Sequence, residues 1–271
     1  MPARQSRRTR PNPSGVHHLQ SAAVRRAIVR AAGLTAADTV FDLGAGPGTL
    51  TAELARTGAR VTAVERDPRY VADLRRRFAT RSHVRVVAAD IRAVRIPREA
   101  RVVANLPFAA ASAVLAALLD PPGRPRAGID VLVEHGFALR VAARRPRSAQ
   151  AAWRSARYEI RIAGRVPRQA FAPAPRVDAA HLRIRPRAPL DPAAERLLRS
   201  LLAAAYADPG RRATAIAARV AGRRAGPRAL GAAGVAPGAR ASEVAPASWA
   251  AVARRTAESS PDPRRSGRGR R

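Results

Sequence analysis

The 271-residue chain contains no cysteine and no lysine, and its aromatic residues are limited to two Trp, three Tyr and five Phe. The absence of cysteine excludes disulfide bridges and thiolate metal sites, and it is compatible with a reducing cytoplasm. No stretch of about 18 residues is both apolar and free of charge, so the sequence predicts no membrane span. We expect a cytoplasmic monomer that holds no metal ion.

Positive charge is carried by arginine alone. The 51 basic residues outnumber 19 acidic ones and give a formal charge of +32. A GC-rich genome would explain the choice of arginine over lysine, but it would not explain the excess of base over acid. This excess favours a partner that carries many phosphates. Candidate RNA-backbone contacts are the clusters Arg25-Arg26, 75–77, Arg144-Arg145-Arg147 and the C-terminal tail, although each alone is also typical of a solvated face.

Short apolar segments alternate with helical patterns from residue 39 onward, which predicts a doubly wound parallel α/β sheet. The predicted parallel strands cover 39–43, 61–64, 84–88, 101–104 and 130–134. Two further β-segments, 157–166 and 179–185, are expected to close the sheet as an antiparallel edge hairpin. The predicted domains are a basic flexible arm (1–14), the sheet domain (15–187), a helical RNA-binding domain (188–255) and a disordered Arg-rich tail (256–271).

A glycine-rich turn follows the first strand of the sheet, in the pattern Asp42-x-Gly44-x-Gly46-x-Gly48. Glycines let the backbone pass close to a cofactor, and the amides of the following helix then face the ligand. The dinucleotide-binding fingerprint would need its third glycine at Thr49, so a nicotinamide cofactor is disfavoured. The pattern resembles motif I of the S-adenosylmethionine (SAM) methyltransferases. Asp42 is expected to support the turn.

Acidic residues end the second and third strands, at the sheet edge where ligands bind in such folds. Glu65 could accept hydrogen bonds from the hydroxyls of a cofactor ribose; its alternative is a solvated acid paired with Arg66. Asp90 could accept from an adenine amine; its alternative is a cap for the turn that follows. Arg66 and Ile91, which come directly after these acids, are assigned to the same pocket.

The fourth strand ends in Asn105-Leu106-Pro107-Phe108. This tetrad resembles the signature of methyltransferases that act on exocyclic amines of nucleobases. An adenine amine is a poor nucleophile because its lone pair is conjugated into the ring. The Asn105 side-chain oxygen and the Leu106 carbonyl would accept its two hydrogens, Pro107 would fix the backbone, and Phe108 would stack on the base. The alternative is an ordinary Asn-Pro turn before a core phenylalanine.

Together, the glycine turn, the two acids and the tetrad resemble the rRNA adenine N6-dimethyltransferase family, and more narrowly its erythromycin-resistance (Erm) branch. The resemblance covers roughly residues 15–187 and is weaker in the helical end. It implies SAM as cofactor and methylation of a flipped or single-stranded adenine in 23S rRNA, which blocks macrolide, lincosamide and streptogramin binding.

The resemblance also implies roles for two segments to which the residue pattern alone gives none. In Phe171-x-Pro173-x-Pro175-x-Val177 the family's phenylalanine sandwiches the adenine, whereas the pattern alone would place Phe171 in the core. The family's Gly/Ser-Gln-Asn-Phe-Leu motif, whose Asn and Leu contact SAM, reads here as residues 15–19. His17 therefore replaces the asparagine, and it is also compatible with a surface turn, while Leu19 keeps the leucine.

The candidate cofactor-binding residues are His17, Leu19, Asp42, Gly44, Gly46, Gly48, Glu65, Arg66, Asp90, Ile91 and Asn105, and the candidate catalytic residues are Asn105, Leu106, Pro107, Phe108 and Phe171. Two other functions stay open. One is the housekeeping 16S rRNA adenine dimethyltransferase, and the other is an RNA-binding relative that has lost catalysis. A DNA adenine methyltransferase is disfavoured because the chain shows no additional target-recognition domain.

Overall fold

The computed structural model describes residues 16–121 and 127–259. The predicted arm at 1–14, Gly15, residues 122–126 and residues 260–271 lie outside the described residues. The last helix continues through Ser259, so helix extends beyond the predicted start of the tail at 256.

A central seven-stranded sheet organises the first two thirds of the chain. Its strands are β2 (Thr39–Leu43), β3 (Arg60–Glu65), β4 (Val84–Ala88), β5 (Arg101–Asn105), β6 (Ile129–Glu134), β7 (Tyr158–Val166) and β9 (Ala179–Pro186), and a separate two-stranded ladder joins β1 (His18–Leu19) to β8 (Phe171–Ala172). The order in the sheet is β4-β3-β2-β5-β6-β9-β7. The first five strands are parallel, and β9 and β7 add the antiparallel hairpin at the edge. The predicted α/β sheet and its terminal hairpin are therefore confirmed.

Helices cover the sheet on both faces, as the crossover rule requires. The helices are α1 (Ala22–Ala32), α2 (Thr49–Ala55), α3 (Pro68–Arg77), α4 (Phe108–Leu119), α5 (His135–Val141), α6 (Ala149–Arg157), α7 (Pro192–Ala207), α8 (Ala213–Ala221), α9 (Ala225–Ala232) and α10 (Pro246–Ser259). Side chains of α1 and α2 share one core with β2 and β5, while α4 and α5 pack on the opposite face.

The helical end forms a second core of its own. Helices α7, α8, α9 and α10 bury Leu198, Leu201, Ile216 and Trp249 together. Helix α6, which the sequence analysis did not predict, contributes Trp153 to this core. The second core therefore contains residues from both sides of the boundary predicted at 187/188, because α6 precedes that boundary in the sequence.

Candidate active site

The glycine turn joins β2 to α2 and needs glycine at three positions. Gly44, Gly46 and Gly48 have φ angles of 78°, 51° and 73°, a region that other residues rarely adopt. The amides of Gly44 and Ala45 donate to the Val64 carbonyl at 2.9 and 3.0 Å, so the turn is anchored on the neighbouring strand. A Cβ at Gly48 would lie 2.5 Å from Leu74 Cδ2, which shows that Gly48 also lets α3 pack closely.

Glu65 holds this turn from the end of β3. Its Oε2 accepts from the Gly46 amide at 2.8 Å, and its Oε1 accepts from the amides of Arg66 and Asp67 at 2.8 and 2.9 Å. The side chain is buried, so the alternative of a solvated acid paired with Arg66 does not fit. A carboxylate has about four acceptor positions, and three are used here. A remaining position on Oε2 is consistent with one ribose hydroxyl rather than the expected two.

Asp90 lies at the end of β4 and caps the turn that follows. The Arg92 amide and guanidinium donate to it at 2.6 to 3.0 Å, and these hydrogen bonds hold the pKa of Asp90 well below its usual range. The Arg66 guanidinium lies 3.8 Å from the same carboxylate. The capping alternative is therefore what the structure contains, and a contact of Asp90 with a cofactor adenine stays a prediction, as does that of Ile91.

Asp42 lies beneath the turn and is 1% exposed. Its Oδ2 accepts from Thr51 Oγ1 at 2.7 Å, so it supports the first part of α2 rather than the glycines themselves. Burial raises the pKa of Asp42 to about 7, and the charge of Glu65 acts in the same direction.

The tetrad lies directly beside the glycine turn. A Cβ at Gly44 would be 3.6 Å from Pro107 Cδ, so β2 and β5 bring the two motifs into contact. Leu106 is buried and its amide donates to the Leu132 carbonyl, whereas Phe108 is half-buried at the first turn of α4. The Asn105 side-chain nitrogen donates to the His17 carbonyl at 2.7 Å. Because a carbonyl only accepts, this bond fixes which end of the amide is which.

The segment before α1 crosses the tetrad and pairs with the Phe171 segment. In the β1–β8 ladder, His18 pairs with Ala172 and Leu19 with Phe171. Leu19 and Phe171 are 3% and 4% exposed and share a core with Ile28. The core position that the pattern alone predicts for Phe171 is thus observed, and its contact with an adenine stays a prediction. Leu19 touches the start of α2 through its carbonyl, which accepts from Thr49 Oγ1 at 3.4 Å.

The two histidines of this segment face opposite ways, as neighbouring residues of a strand do. His17 contacts Pro173 and Phe108, on the side of the tetrad. His18 lies on the side of the glycine turn, where a Cβ at Gly46 would be 3.0 Å from its Nδ1 and its Nε2 shares a 3.0 Å hydrogen bond with the Tyr70 hydroxyl. Burial lowers the pKa of His18, and Glu65 partly opposes this.

A contact of His17 with the cofactor stays a prediction, whereas the structure adds two residues beside the glycine turn, His18 and Tyr70, that the sequence analysis did not assign. The strand alternation at 17 and 18 was the signal that could have found His18. Nothing in the local sequence of α3 indicated Tyr70, because its partner lies 52 residues away.

The model of one protein family matches residues 11–258, nearly the whole chain, and it is described as ribosomal RNA adenine dimethylase. The chain belongs to the ribosomal RNA adenine dimethylase family.

The similar proteins include an rRNA adenine N-6-methyltransferase and a ribosomal RNA small subunit methyltransferase. The chain is 33% identical over 176 residues to an rRNA adenine N-6-methyltransferase of Bacillus licheniformis, and the match spans 64% of this chain and 61% of that one. It is 34% identical over 249 residues to ribosomal RNA small subunit methyltransferase A of Phenylobacterium zucineum, spanning 88% of this chain and 85% of the relative. The chain thus spans about three fifths of the length of the Bacillus relative.

Among solved structures, the 23S rRNA methyltransferase ErmE matches with a TM-score of 0.73 and 29% identity, over 89% of this chain and 99% of that one. A dimethyladenosine transferase of Plasmodium falciparum matches with a TM-score of 0.67 at 17% identity, over 87% and 96% of the two chains. The second match concerns the fold alone, which it shares from the sheet through the helical end.

Ribosomal RNA adenine dimethylases are SAM-dependent methyltransferases, and the residues of this site fit that cofactor. The three glycines of the turn have no side chains, so a ligand can come close to the main chain there. Glu65 keeps an acceptor position beside Gly46. SAM, when bound, supplies a methyl group activated by a positively charged sulfonium. Among residues 16–121 and 127–259, no cluster of acidic and histidine side chains could hold a metal ion. No helix within the same ranges has the length and apolar character to cross a membrane.

Proposed function

We propose that this protein transfers a methyl group from SAM to the N6 amine of an adenine in ribosomal RNA, and that the adenine lies in 23S rRNA. In this proposal Glu65 and the glycine turn hold the cofactor, and the Asn105–Phe108 tetrad holds the target base. Methylation at a drug-binding position would confer resistance to macrolides, lincosamides and streptogramins, as the Erm resemblance implies.

The observation that carries the proposal is the orientation of the Asn105 amide. Because Nδ2 donates to the His17 carbonyl at 2.7 Å, the other end of the amide presents Oδ1 as an acceptor. An acceptor is what the chemistry needs, since the target amine offers only hydrogens. If the amide were inverted, its NH2 group would face the NH2 group of the target base, and two donors repel each other. The side chain is thus preset before any base arrives.

The chemistry follows from drawing the amine lone pair out of conjugation. Hydrogen bonds from N6 to Asn105 Oδ1 and to the Leu106 carbonyl would favour a pyramidal nitrogen with an available lone pair. Bound SAM would supply the methyl group, and its sulfur would leave as a neutral thioether. Phe108, at the first turn of α4, offers its ring as a stacking surface for the base. The proton released at N6 passes to water, and no side chain has to act as general base. A base inside a duplex could not reach this position, so we expect a flipped or unpaired adenine.

The choice of 23S rRNA is supported by the similarity to ErmE, which extends over nearly all of that chain. The second candidate is methylation of small-subunit rRNA. It is favoured by the Phenylobacterium relative, whose match covers more of both sequences than that of the Bacillus relative.

The deciding experiment incubates the purified protein with labelled SAM and with 23S or 16S rRNA from an unmodified strain. We expect label in 23S rRNA, recovered after hydrolysis as N6-methyladenosine or N6,N6-dimethyladenosine, with one primer-extension stop. Label in 16S rRNA would show that the target is the small-subunit RNA instead of 23S rRNA. No label in either RNA would contradict the proposed activity. Expression in a macrolide-sensitive host tests the resistance separately.

Replacing Asn105 is the first variant to test. Asn105→Ala removes the acceptor, and we expect kcat to fall by about 100-fold or more, with RNA binding within a factor of about two. Ser112→Ala, at an exposed position of α4, is the control and should keep full activity. If Asn105→Ala methylates as fast as wild type, the Asn105 amide is not the acceptor for the target amine. If wild type binds rRNA but transfers no methyl group, the chain is a binding relative without this chemistry.

A further inference from the structure

His17 stands at a junction of three segments of the candidate site. Its carbonyl accepts from Asn105 Nδ2, its imidazole Nδ1 lies 2.7 Å from the Pro173 carbonyl, and its ring centroid lies 5.6 Å from that of Phe108 at an angle of 46°. One residue therefore touches the strand end that carries Asn105, the helix start that carries Phe108, and the segment that carries Phe171.

The direction of the imidazole bond follows from its partner. The Pro173 carbonyl can only accept, so Nδ1 must carry the proton. This bond lies just past the end of the β1–β8 ladder, whose pairs are His18 with Ala172 and Leu19 with Phe171. A two-residue ladder is a weak tie, and the imidazole extends it to the second residue after Phe171.

The two bonds of His17 are coupled through its own backbone. The carbonyl that orients Asn105 belongs to the same residue whose side chain is tied to Pro173, so the side-chain bond limits how far the carbonyl can move. Loss of the imidazole bond would let the segment before β1 shift and would release the Asn105 amide from its acceptor-outward orientation. The Asn105 side chain and the Phe171 segment would loosen together.

We propose that His17 is a positioning residue for methyl transfer, which keeps Asn105 oriented and keeps the Phe171 segment in register with it. This inference rests on the proposed function, and it differs from the SAM contact that the family resemblance implies for position 17. It places the influence of His17 on the base side of the site, while His18 lies against the glycine turn.

Two substitutions separate the roles of the imidazole. Asn Nδ2 occupies the same position along the side chain as His Nδ1, so His17→Asn keeps a donor for the Pro173 carbonyl. His17→Leu has similar bulk and no donor. We expect His17→Leu to lower kcat at saturating SAM and RNA by about 10- to 100-fold, with the KM for SAM within about twofold. His17→Asn should recover kcat to within about threefold of wild type.

His83→Leu is the matched control, because His83 also bonds a carbonyl, that of Ala55 at 3.0 Å, at the end of α2 remote from the tetrad. It should leave kcat unchanged. An RNA hairpin with 2-aminopurine at the mapped position gives a second readout: His17→Leu should reduce the fluorescence rise of the flipped base, and His17→Asn should restore it.

Other outcomes overturn the inference. A raised KM for SAM with unchanged kcat in His17→Leu would assign His17 to the cofactor, and equal activity of His17→Leu and wild type would remove any role. Equal losses in His17→Leu and His17→Asn would show that the donor is not what matters. These results are read against an active wild type, whereas an inactive wild type would instead contradict the proposed function.

Discussion

Asp42 shows how one buried carboxyl can make stability depend on pH. Its environment raises its pKa from an ordinary value near 3.8 to about 7, chiefly because burial disfavours the charged form. Between these two values the folded chain binds a proton that the unfolded chain has lost. Stability from this group is therefore complete below about pH 4 and decreases as the pH rises through 7.

Replacing Asp42 by Asn tests this directly. Asparagine can still accept from Thr51 but carries no charge, so its contribution to stability does not depend on pH. As the pH rises from 4 to 8, the free energy of unfolding of the variant should therefore increase relative to that of wild type by roughly 2–4 kcal/mol. Urea unfolding of both proteins at several pH values measures the difference. A constant difference across this range would show that Asp42 titrates normally in the folded protein.

At this scale, sequence reasoning found residue types but not their partners. The spacing of glycines and strand ends placed Gly44, Glu65 and Asn105 at one edge of the sheet, because parallel strands all end there. It could not show that Glu65 accepts three main-chain amides, or that Asn105 is bonded to a residue 88 positions away. Such contacts depend on how side chains turn after the strands have paired.

Helices α8 and α9 depend on one glycine for their contact. A Cβ at Gly226 would lie 2.1 Å from the Ala217 carbonyl oxygen and 2.4 Å from its carbon, and these backbone atoms cannot turn aside. Gly231, on the same helix, has open space around its Cβ position. Substituting each glycine therefore distinguishes two effects: a steric clash with α8 at Gly226, and helix propensity alone at Gly231.

Alanine at these two positions should have opposite effects. We expect Gly226→Ala to lower the free energy of unfolding by about 2–3 kcal/mol or more, because α9 must move away from α8. Gly231→Ala should leave it unchanged or raise it by up to about 1 kcal/mol, since alanine favours helix. Thermal or urea unfolding of both variants decides, and equal behaviour would contradict the steric argument.

Sequence patterns predicted the strands of the parallel sheet well, whereas two short helices and the two-residue ladder were missed. The strands at 39–43 and 84–88 match β2 and β4, since an apolar run fixes them locally. Helices α5 and α6 have seven and nine residues and were missed, because about two turns of helix leave a weak periodic signal. The β1–β8 ladder was missed because two residues on each side carry no pattern, and its pairing depends on segments over 150 residues apart.

The charge of the whole molecule should dominate how it binds RNA. With a formal charge of +32, the chain should displace many counterions, and affinity should fall steeply as salt increases. The exposed cluster Arg144, Arg145 and Arg147 lies between α5 and α6, and α5 begins directly after the end of β6 that neighbours Asn105. These arginines are candidates for phosphate contacts beside the site.

A triple variant measures their share. With Arg144, Arg145 and Arg147 all changed to Gln, the slope of log affinity against log salt should become less steep by about 2, at roughly 0.7–0.9 per lost phosphate contact. Arg56→Gln is the control, because Arg56 pairs with Glu53 at the far end of α2 and should leave the slope unchanged. An unaltered slope in the triple variant would assign these arginines to solvent.

Helix α6 joins the two parts of the molecule through Arg157, which reaches the carbonyls of Leu119 and Pro121 at 3.1 and 2.8 Å and lies 3.5 Å from Glu195 of α7. Its guanidinium also stacks at 4.6 Å over Trp153, inside the second core. Recombination between relatives that exchanged only residues 188–259 would leave Trp153 facing a foreign set of helices. A recombination point before residue 149 would keep Trp153 together with the helices it packs against. We therefore expect α6 and the helical end to be inherited together.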